Sequence, residues 1–131
     1  MHRHQNVFLV IKNSGSTNFP GYTLTINSDG SGELIYLRRR NETRPQFNLA
    51  PKAFPPQTFQ LSSIASLLAQ IGGIQGIPNH SCSKPISFGS VVSLVYNGQT
   101  SGDISCIDTN DPQNYQELKK QIHAFITQAM Q

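Results

Sequence analysis

The sequence predicts an α+β domain in which two helices pack on an antiparallel sheet. Three observations lead to this class: strand-like pairs joined by short glycine turns, two segments with apolar residues at helical spacing, and no β-α-β alternation. The predicted order is β-ββ-α-ββ-α, which gives an N-terminal strand, two hairpins and two helices. At 131 residues the chain has the length of one domain, so we expect a single domain over residues 1–131.

The N-terminal third contains the first strand and the first hairpin. Residues 7–11 (VFLVI) form a continuous apolar run of strand length, which predicts a strand covered on both faces. Residues 22–26 alternate apolar side chains with threonine, which indicates a half-buried strand. A glycine-containing turn at residues 28–32 leads into a second strand over residues 33–38, so these two strands form a hairpin.

The middle of the chain holds a proline-rich segment and the first helix. Four of the eight prolines lie in residues 41–57, and because proline cannot donate to a strand ladder, we expect a crossing or loop that is not a strand throughout. Apolar residues then recur at helical spacing up to a Gly-Gly stop, which predicts a helix over residues 58–71 and a turn region over residues 72–82. The apolar stripe of this helix consists of Leu61, Ile64, Leu68 and Ile71.

The C-terminal third contains the second hairpin and the second helix. Residues 86–96 and 99–107 have strand character and are joined by Asn-Gly, the residue pair that favours a two-residue hairpin turn. Asp111 is the predicted N-cap of the last helix, with Pro112 at its first position. Its helical period is carried by Tyr115, Leu118, Ile122, Phe125 and Ile126.

Cys82 and Cys106 are the only cysteines, and we predict a disulfide between them. In the predicted hairpin Cys106 falls opposite Gly89, so the bond requires residues 83–85 to fold back and fasten the preceding loop to the last strand. A disulfide indicates an oxidising compartment. The composition, 37% hydrophobic and 13% charged, also suits an extracellular or cell-envelope protein. An exported chain would have lost its leader before residue 1.

The order of these motifs resembles small bacterial domains of the emfourin type. The similarity spans most of the chain: an opening strand, a Ser-Gly loop, a Tyr-x-Leu-x-Ile strand, an Asp-Gly turn, a helix that ends before Ile-Pro, a Tyr-Asn-Gly hairpin and a C-terminal helix. Emfourin-like proteins are described as inhibitors of thermolysin-like metallopeptidases. The resemblance therefore implies another protein, a peptidase in its most specific form, as the partner.

If the protein is such an inhibitor, we expect its binding surface in the hairpin turns or in the loop over residues 13–21, because rigid inhibitors present loops on a packed scaffold. The loop residues predicted to bind are Ser14, Gly15, Ser16, Thr17, Asn18 and Phe19. The predicted function is thus a non-enzymatic protein-binding module.

Two further classes remain open: a structural accessory domain of a larger assembly, and an enzyme with a site near His80. The pair His80 and Cys82 could form a thiolate and its base if Cys82 were free. The chain lacks Gly-x-Ser-x-Gly and His-Glu-x-x-His, and its seven carboxylates are scattered. His2-x-His4 lacks a third ligand nearby. We therefore predict no catalytic, cofactor or metal site, and no apolar run reaches the roughly 20 residues of a membrane span.

The strongest charged feature is a basic cluster, in which four of the ten Lys and Arg residues occur within residues 38–44. Clustered guanidinium groups can bind an anion, an acidic partner or phosphates. Against this, alternate strand residues point to opposite faces, and the aromatic and glycine signature of RNA-binding strands is missing. The sequence favours a solvated patch over a nucleic-acid site. The basic cluster consists of Arg38, Arg39, Arg40 and Arg44. The possible anion patch within it is Arg38, Arg40 and Arg44, because Arg39 would point to the other face of a continuing strand.

Overall fold

The computed structural model describes residues 6–37, 49–84 and 89–131, and shows an antiparallel sheet with two helices. This confirms the predicted α+β class. The six described strands are ordered β4-β3-β2-β1-β5-β6, and all pairs are antiparallel. In chain order the elements are β1 (Val7–Asn13), β2 (Tyr22–Asn27), β3 (Gly32–Tyr36), β4 (Lys52–Phe54), α1 (Ser62–Ile71), β5 (Val92–Tyr96), β6 (Gln99–Thr100) and α2 (Gln113–Met130).

The core lies between one face of this sheet and the two helices. Inward side chains of the four central strands are fully buried, and they belong to the same apolar cluster as the buried stripes of α1 and α2. Phe59, which precedes α1, joins the layers: its ring meets those of Phe54 and Phe125 edge to face, at centroid distances of 5.3 and 5.8 Å. The main sheet contributors are Leu9, Ile11, Leu24, Ile26, Leu34 and Leu94.

β1 occupies the centre of the sheet but is buried on one face only. Leu9 and Ile11 are inaccessible to solvent, whereas on the alternate positions Phe8 and Val10 are only partly buried and Lys12 is exposed. The prediction that its apolar run is covered on both faces is therefore wrong, because both described helices pack on the same face. A register shift between Val7 and Leu9 also interrupts the alternation, and the ring of Phe8 packs edge to face against Tyr96 at 5.5 Å.

The second hairpin turns at Asn97 and Gly98 as predicted, with φ of 53° and 76°, but its outer strand is short. After Thr100 the Ser101 N–H still donates to the Leu94 carbonyl (2.9 Å), but side chains accept the N–H groups of β5. The Leu94 N–H donates to Ser101 Oγ (2.8 Å), and the Val92 N–H donates to an Asp103 carboxylate oxygen (3.0 Å).

The predicted strand over residues 99–107 is consequently wrong beyond Thr100. A 3-10 helix, Ile104–Cys106, follows in its place. Of the predicted strand over residues 86–96, the structure shows Val92–Tyr96 as strand, and residues 85–88 lie outside the described part.

α1 ends where predicted but begins four residues later than predicted, at Ser62. The preceding residues are tied to the first hairpin, because the Phe59 N–H donates to the Gly30 carbonyl (2.9 Å). At its end Gly72 adopts a φ of 87°, and its N–H donates to the Leu68 carbonyl (3.0 Å).

β4 has no counterpart in the sequence prediction. This three-residue strand pairs with β3 at the sheet edge, between Pro51 and Pro55, where prolines leave the ladder intact. The predicted strand over residues 33–38 ends at Tyr36, and residues 38–48 lie outside the described part.

α2 confirms the predicted C-terminal helix, but its N-cap differs from the prediction. Pro112, not Asp111, is the N-cap residue, and Gln113 is the first helical residue. The Asp111 carboxylate is turned away from the helix: it accepts the N–H of Asp108 (2.8 Å) and lies 2.9 Å from a ring nitrogen of His80.

Candidate functional site

The predicted disulfide between Cys82 and Cys106 is present, with the two Cα atoms 5.5 Å apart. It fastens the loop after α1 to the 3-10 helix, where the sequence predicted a strand. Because Cys82 is bonded to Cys106, it cannot act as the thiolate that the alternative of a His80–Cys82 nucleophile requires. That alternative is wrong.

Beside the disulfide, Asp103 is the centre of a hydrogen-bonded cluster. Its carboxylate accepts the N–H of Val92 (3.0 Å) and both the N–H (3.1 Å) and the hydroxyl (2.6 Å) of Ser105. The Lys84 ammonium donates to Asp103, to Ser105 Oγ and to the Ser90 carbonyl. Burial alone would raise the pKa of Asp103, but the hydrogen bonds from Lys84, Ser105 and Val92 outweigh it and lower the pKa below 3.8.

The cluster around Asp103 is a structural cross-link, which joins Lys84 to Asp103 and Ser105. A lysine beside a serine can activate the hydroxyl as a nucleophile when the amine is free to accept a proton. Here the Lys84 ammonium is paired with the Asp103 carboxylate, and the Ser105 hydroxyl donates to the same carboxylate. Neither Asp103 nor Lys84 was predicted as a site residue. The available signal was the Asp-x-Ser spacing, which is typical of a side chain that caps a turn.

His80 and Asp111 form an ion pair that joins the loop after α1 to the start of α2. The His80 Nε2 lies 3.0 and 2.9 Å from the two carboxylate oxygens of Asp111. The hydrogen bond to Asp111 raises the pKa of His80 above 6.5. Hydrogen bonds from the Asp108 N–H and from His80 lower the pKa of Asp111 below 3.8.

Two groups of potential metal ligands occur in the part of the chain that the structure describes. Cys82, Asp103 and Cys106 form one, but its two sulfurs are bonded to each other. His80, Asp108 and Asp111 form the other, with one ligand atom from each within 4.8 Å of the others. In this second group the Nε2 atom of His80 is already hydrogen-bonded to the Asp111 carboxylate.

The His80–Asp111 pair predicts a pH-dependent contribution to stability. Since the folded pKa of His80 is raised, its stabilisation is complete below 6.5 and is lost as the pH rises through the raised value. Since that of Asp111 is lowered, its stabilisation is complete above 3.8 and is lost as the pH falls through the lowered value. We expect His80→Asn to reduce the melting temperature most between the lowered pKa of Asp111 and the raised pKa of His80. Thermal melts from about pH 3 to about pH 9 measure this, with the exposed His123→Asn as control. A pH-independent difference contradicts the assignment.

The loop over residues 13–21, which contains the predicted binding residues, is held by several hydrogen bonds. Ser14 donates its N–H to the Val91 carbonyl (3.0 Å) and accepts the Val91 N–H at its hydroxyl (2.8 Å). The Ser16 N–H donates to the Phe19 carbonyl (2.9 Å). Gly15 has a φ of 75°, and a Cβ at this position would lie 2.5 Å from the Gly21 nitrogen. The backbone therefore holds one defined shape.

Large apolar side chains are exposed at this end of the sheet. Phe19 is 52% exposed within the loop itself. Leu37 is 50% exposed, and its N–H donates a hydrogen bond to the Gly21 carbonyl (2.8 Å). Val91 is 48% exposed and lies beside Ser14. We refer to residues 13–21 with Leu37 and Val91 as the loop-end surface. The possible anion patch, Arg38, Arg40 and Arg44, lies outside the described residues, as does Arg39.

Comparison of the chain with models of protein families, with curated proteins and with solved structures finds no match. The resemblance to emfourin-like domains therefore stays a prediction from short motifs. Within the described residues, no helix combines the length and the apolar character that crossing a membrane requires.

Proposed function

We propose that the protein is a non-enzymatic binding module that docks another protein through the loop-end surface. In its most specific form this is inhibition of a thermolysin-like metallopeptidase outside the cytoplasm. The observation that carries the proposal is the exposure of Phe19, Leu37 and Val91 around a hydrogen-bonded loop.

Two physical arguments support this use of the loop-end surface. Exposed apolar side chains supply binding energy when a partner removes them from water, and large ones are the usual energetic anchors of an interface. A loop that is already held in one shape also loses little conformational entropy when it binds. The hydrogen bonds of Ser14 and Ser16 and the close approach of Gly15 to Gly21 supply that preorganisation.

The setting outside the cytoplasm is supported by the disulfide. A bond between Cys82 and Cys106 persists in an oxidising compartment, whereas cytoplasmic thiols are generally kept reduced. The peptidase as partner rests on the resemblance alone.

Titration into several thermolysin-like metallopeptidases tests the peptidase form. We expect loss of turnover at micromolar or lower concentration of the protein. We further expect Phe19→Ser with Leu37→Ser to weaken inhibition by at least about thirtyfold, since removing anchor residues costs about 2 kcal/mol or more. The matched control is Val7→Ser, because Val7 is equally exposed but lies at the opposite end of β1.

Peptidase inhibition and docking through the loop-end surface are contradicted by different results. Unchanged turnover with every peptidase contradicts inhibition. Capture of the same proteins from the native extracellular fraction by the wild type and by the Phe19→Ser, Leu37→Ser variant contradicts docking through the loop-end surface.

A further inference from the structure

An open apolar groove of about 470 Å³ lies between α2 and the segment around the 3-10 helix. Its floor consists of aliphatic side chains from the sheet, from that segment and from α2, and three of the five are almost fully buried. Neither the loop over residues 13–21 nor the disulfide lines it. The floor residues are Val92, Ile104, Ile107, Ile122 and Ile126.

The rim of the groove on the α2 side is basic. Lys119 and Lys120 line it together with His123, one further turn along the helix. Lys119 Nζ donates to the carbonyls of Ser105 (3.1 Å) and Ile107 (2.8 Å), which fixes its ammonium group at the groove. Asp108 is the acidic residue on the opposite rim, so a negative group on a ligand is drawn toward α2.

We propose that this groove binds a single-chain anionic amphiphile, with its carboxylate at Lys119 and Lys120 and its alkyl chain along the aliphatic floor. The volume falls within the usual range for small-molecule sites, about 300 to 1,000 Å³. The basic rim complements a carboxylate, and an ammonium donor strengthens that hydrogen bond. An alkyl chain requires no hydrogen-bond partners, whereas a buried peptide backbone does.

This site is independent of the proposed protein-docking function, since the two surfaces use different residues. Dodecanoate, kept below its micelle-forming concentration, is the probe. We expect saturable binding at one site by calorimetry, with amide shifts in NMR spectra confined to residue 92, residues 104–109 and residues 116–126. Decanoate should bind about fifteenfold more weakly, because it lacks two methylenes and each buried methylene contributes a factor of about four. Dodecanol and dodecyltrimethylammonium, which lack the negative group, should bind at least about tenfold more weakly.

Two variants and a matched control test the residues. Lys120→Glu should weaken dodecanoate binding by about tenfold without affecting the fold, because Lys120 is exposed. Ile126→Asp should abolish binding by placing a carboxylate on the floor. Lys12→Glu, which changes another exposed lysine, on β1, should leave it unchanged, as should Phe19→Ser.

Three results overturn the proposal: no binding below the micelle-forming concentration, equal affinity for dodecanol, or amide shifts centred outside the groove. Equal binding by wild type and Lys120→Glu also overturns the assignment of the head group. Circular dichroism of each variant shows whether it is folded, and Lys120→Glu keeps the test decisive if Ile126→Asp does not fold.

Discussion

Removing the disulfide, by replacing Cys82 and Cys106 with alanine, should lower the free energy of unfolding by about 3 kcal/mol. The bond closes a loop with a sequence separation of 24 residues, and the chain-entropy model assigns about 3 kcal/mol to a loop of this size. For a domain whose total stability is about 5 to 15 kcal/mol, this is a large fraction. The effect arises mainly in the unfolded chain, which gains freedom when the bond is absent.

Urea unfolding of the wild type and the double variant, in the absence of reductant, measures this difference. Dithiothreitol should destabilise the wild type by a similar amount and leave the double variant unchanged, which controls for effects of the reductant. Two free thiols after folding under oxidising conditions would refute the bond, and with it the main support for a location outside the cytoplasm.

The elements predicted most accurately from sequence are those whose signal is local. Asn97 and Gly98 both adopt positive φ, and Gly72 ends α1 for the same conformational reason. α2 follows from a long amphipathic period. In each case the residues that carry the pattern are also the residues that form the structure.

The errors occur where a distant partner overrides the local pattern. Residues 101–107 have alternating apolar character, yet the side chains of Ser101 and Asp103 take the β5 hydrogen bonds that a longer β6 would have used. Residues 58–61 fit the helical period, yet the Phe59 N–H donates a hydrogen bond to the Gly30 carbonyl in the turn of the first hairpin. β4 is too short to show a period, and only its pairing with β3 defines it.

Among the candidate sites, too, those with a local signal were predicted and those that depend on distant contacts were missed. The disulfide could be predicted because two cysteines allow one pairing. The loop over residues 13–21 was predicted as a binding loop, and the structure adds the exposed Leu37 and Val91 beside it, which are distant in sequence. The Asp103–Lys84 cluster was missed, because its members are 19 residues apart and only the fold places them in contact.

Replacing Asp103 with alanine should also lower the free energy of unfolding by about 3 kcal/mol. The change leaves the Lys84 ammonium partly buried beside Ser105 without its carboxylate, and removes the acceptor for the Val92 N–H. Removing one partner of such a pair costs more than the pair contributes, because the remaining charge has already lost its water. Asp103→Asn keeps an acceptor for the N–H groups and should cost less.

Asp29→Ala is the matched control, because Asp29 also accepts a serine N–H two residues on (2.9 Å) but lies exposed in a turn. It should lower the free energy of unfolding by less than Asp103→Ala does, because solvent screens an exposed carboxylate. The lowered pKa of Asp103 sets the pH range: its stabilisation is complete above 3.8 and is lost as the pH falls through the lowered value. Equal effects of the two substitutions at neutral pH would contradict the role of the Lys84 pair.

The two large effects should not be additive. The disulfide and the Asp103–Lys84 pair join the same two segments, residues 82–84 and residues 103–106, at the two ends of the 3-10 helix. Once either is removed, those segments are less firmly held, so the other contributes less. A double-mutant cycle in urea should therefore give a coupling energy of about 0.5 kcal/mol or more. Strict additivity would mean that the two contacts stabilise the fold independently, with the disulfide acting on the unfolded chain alone.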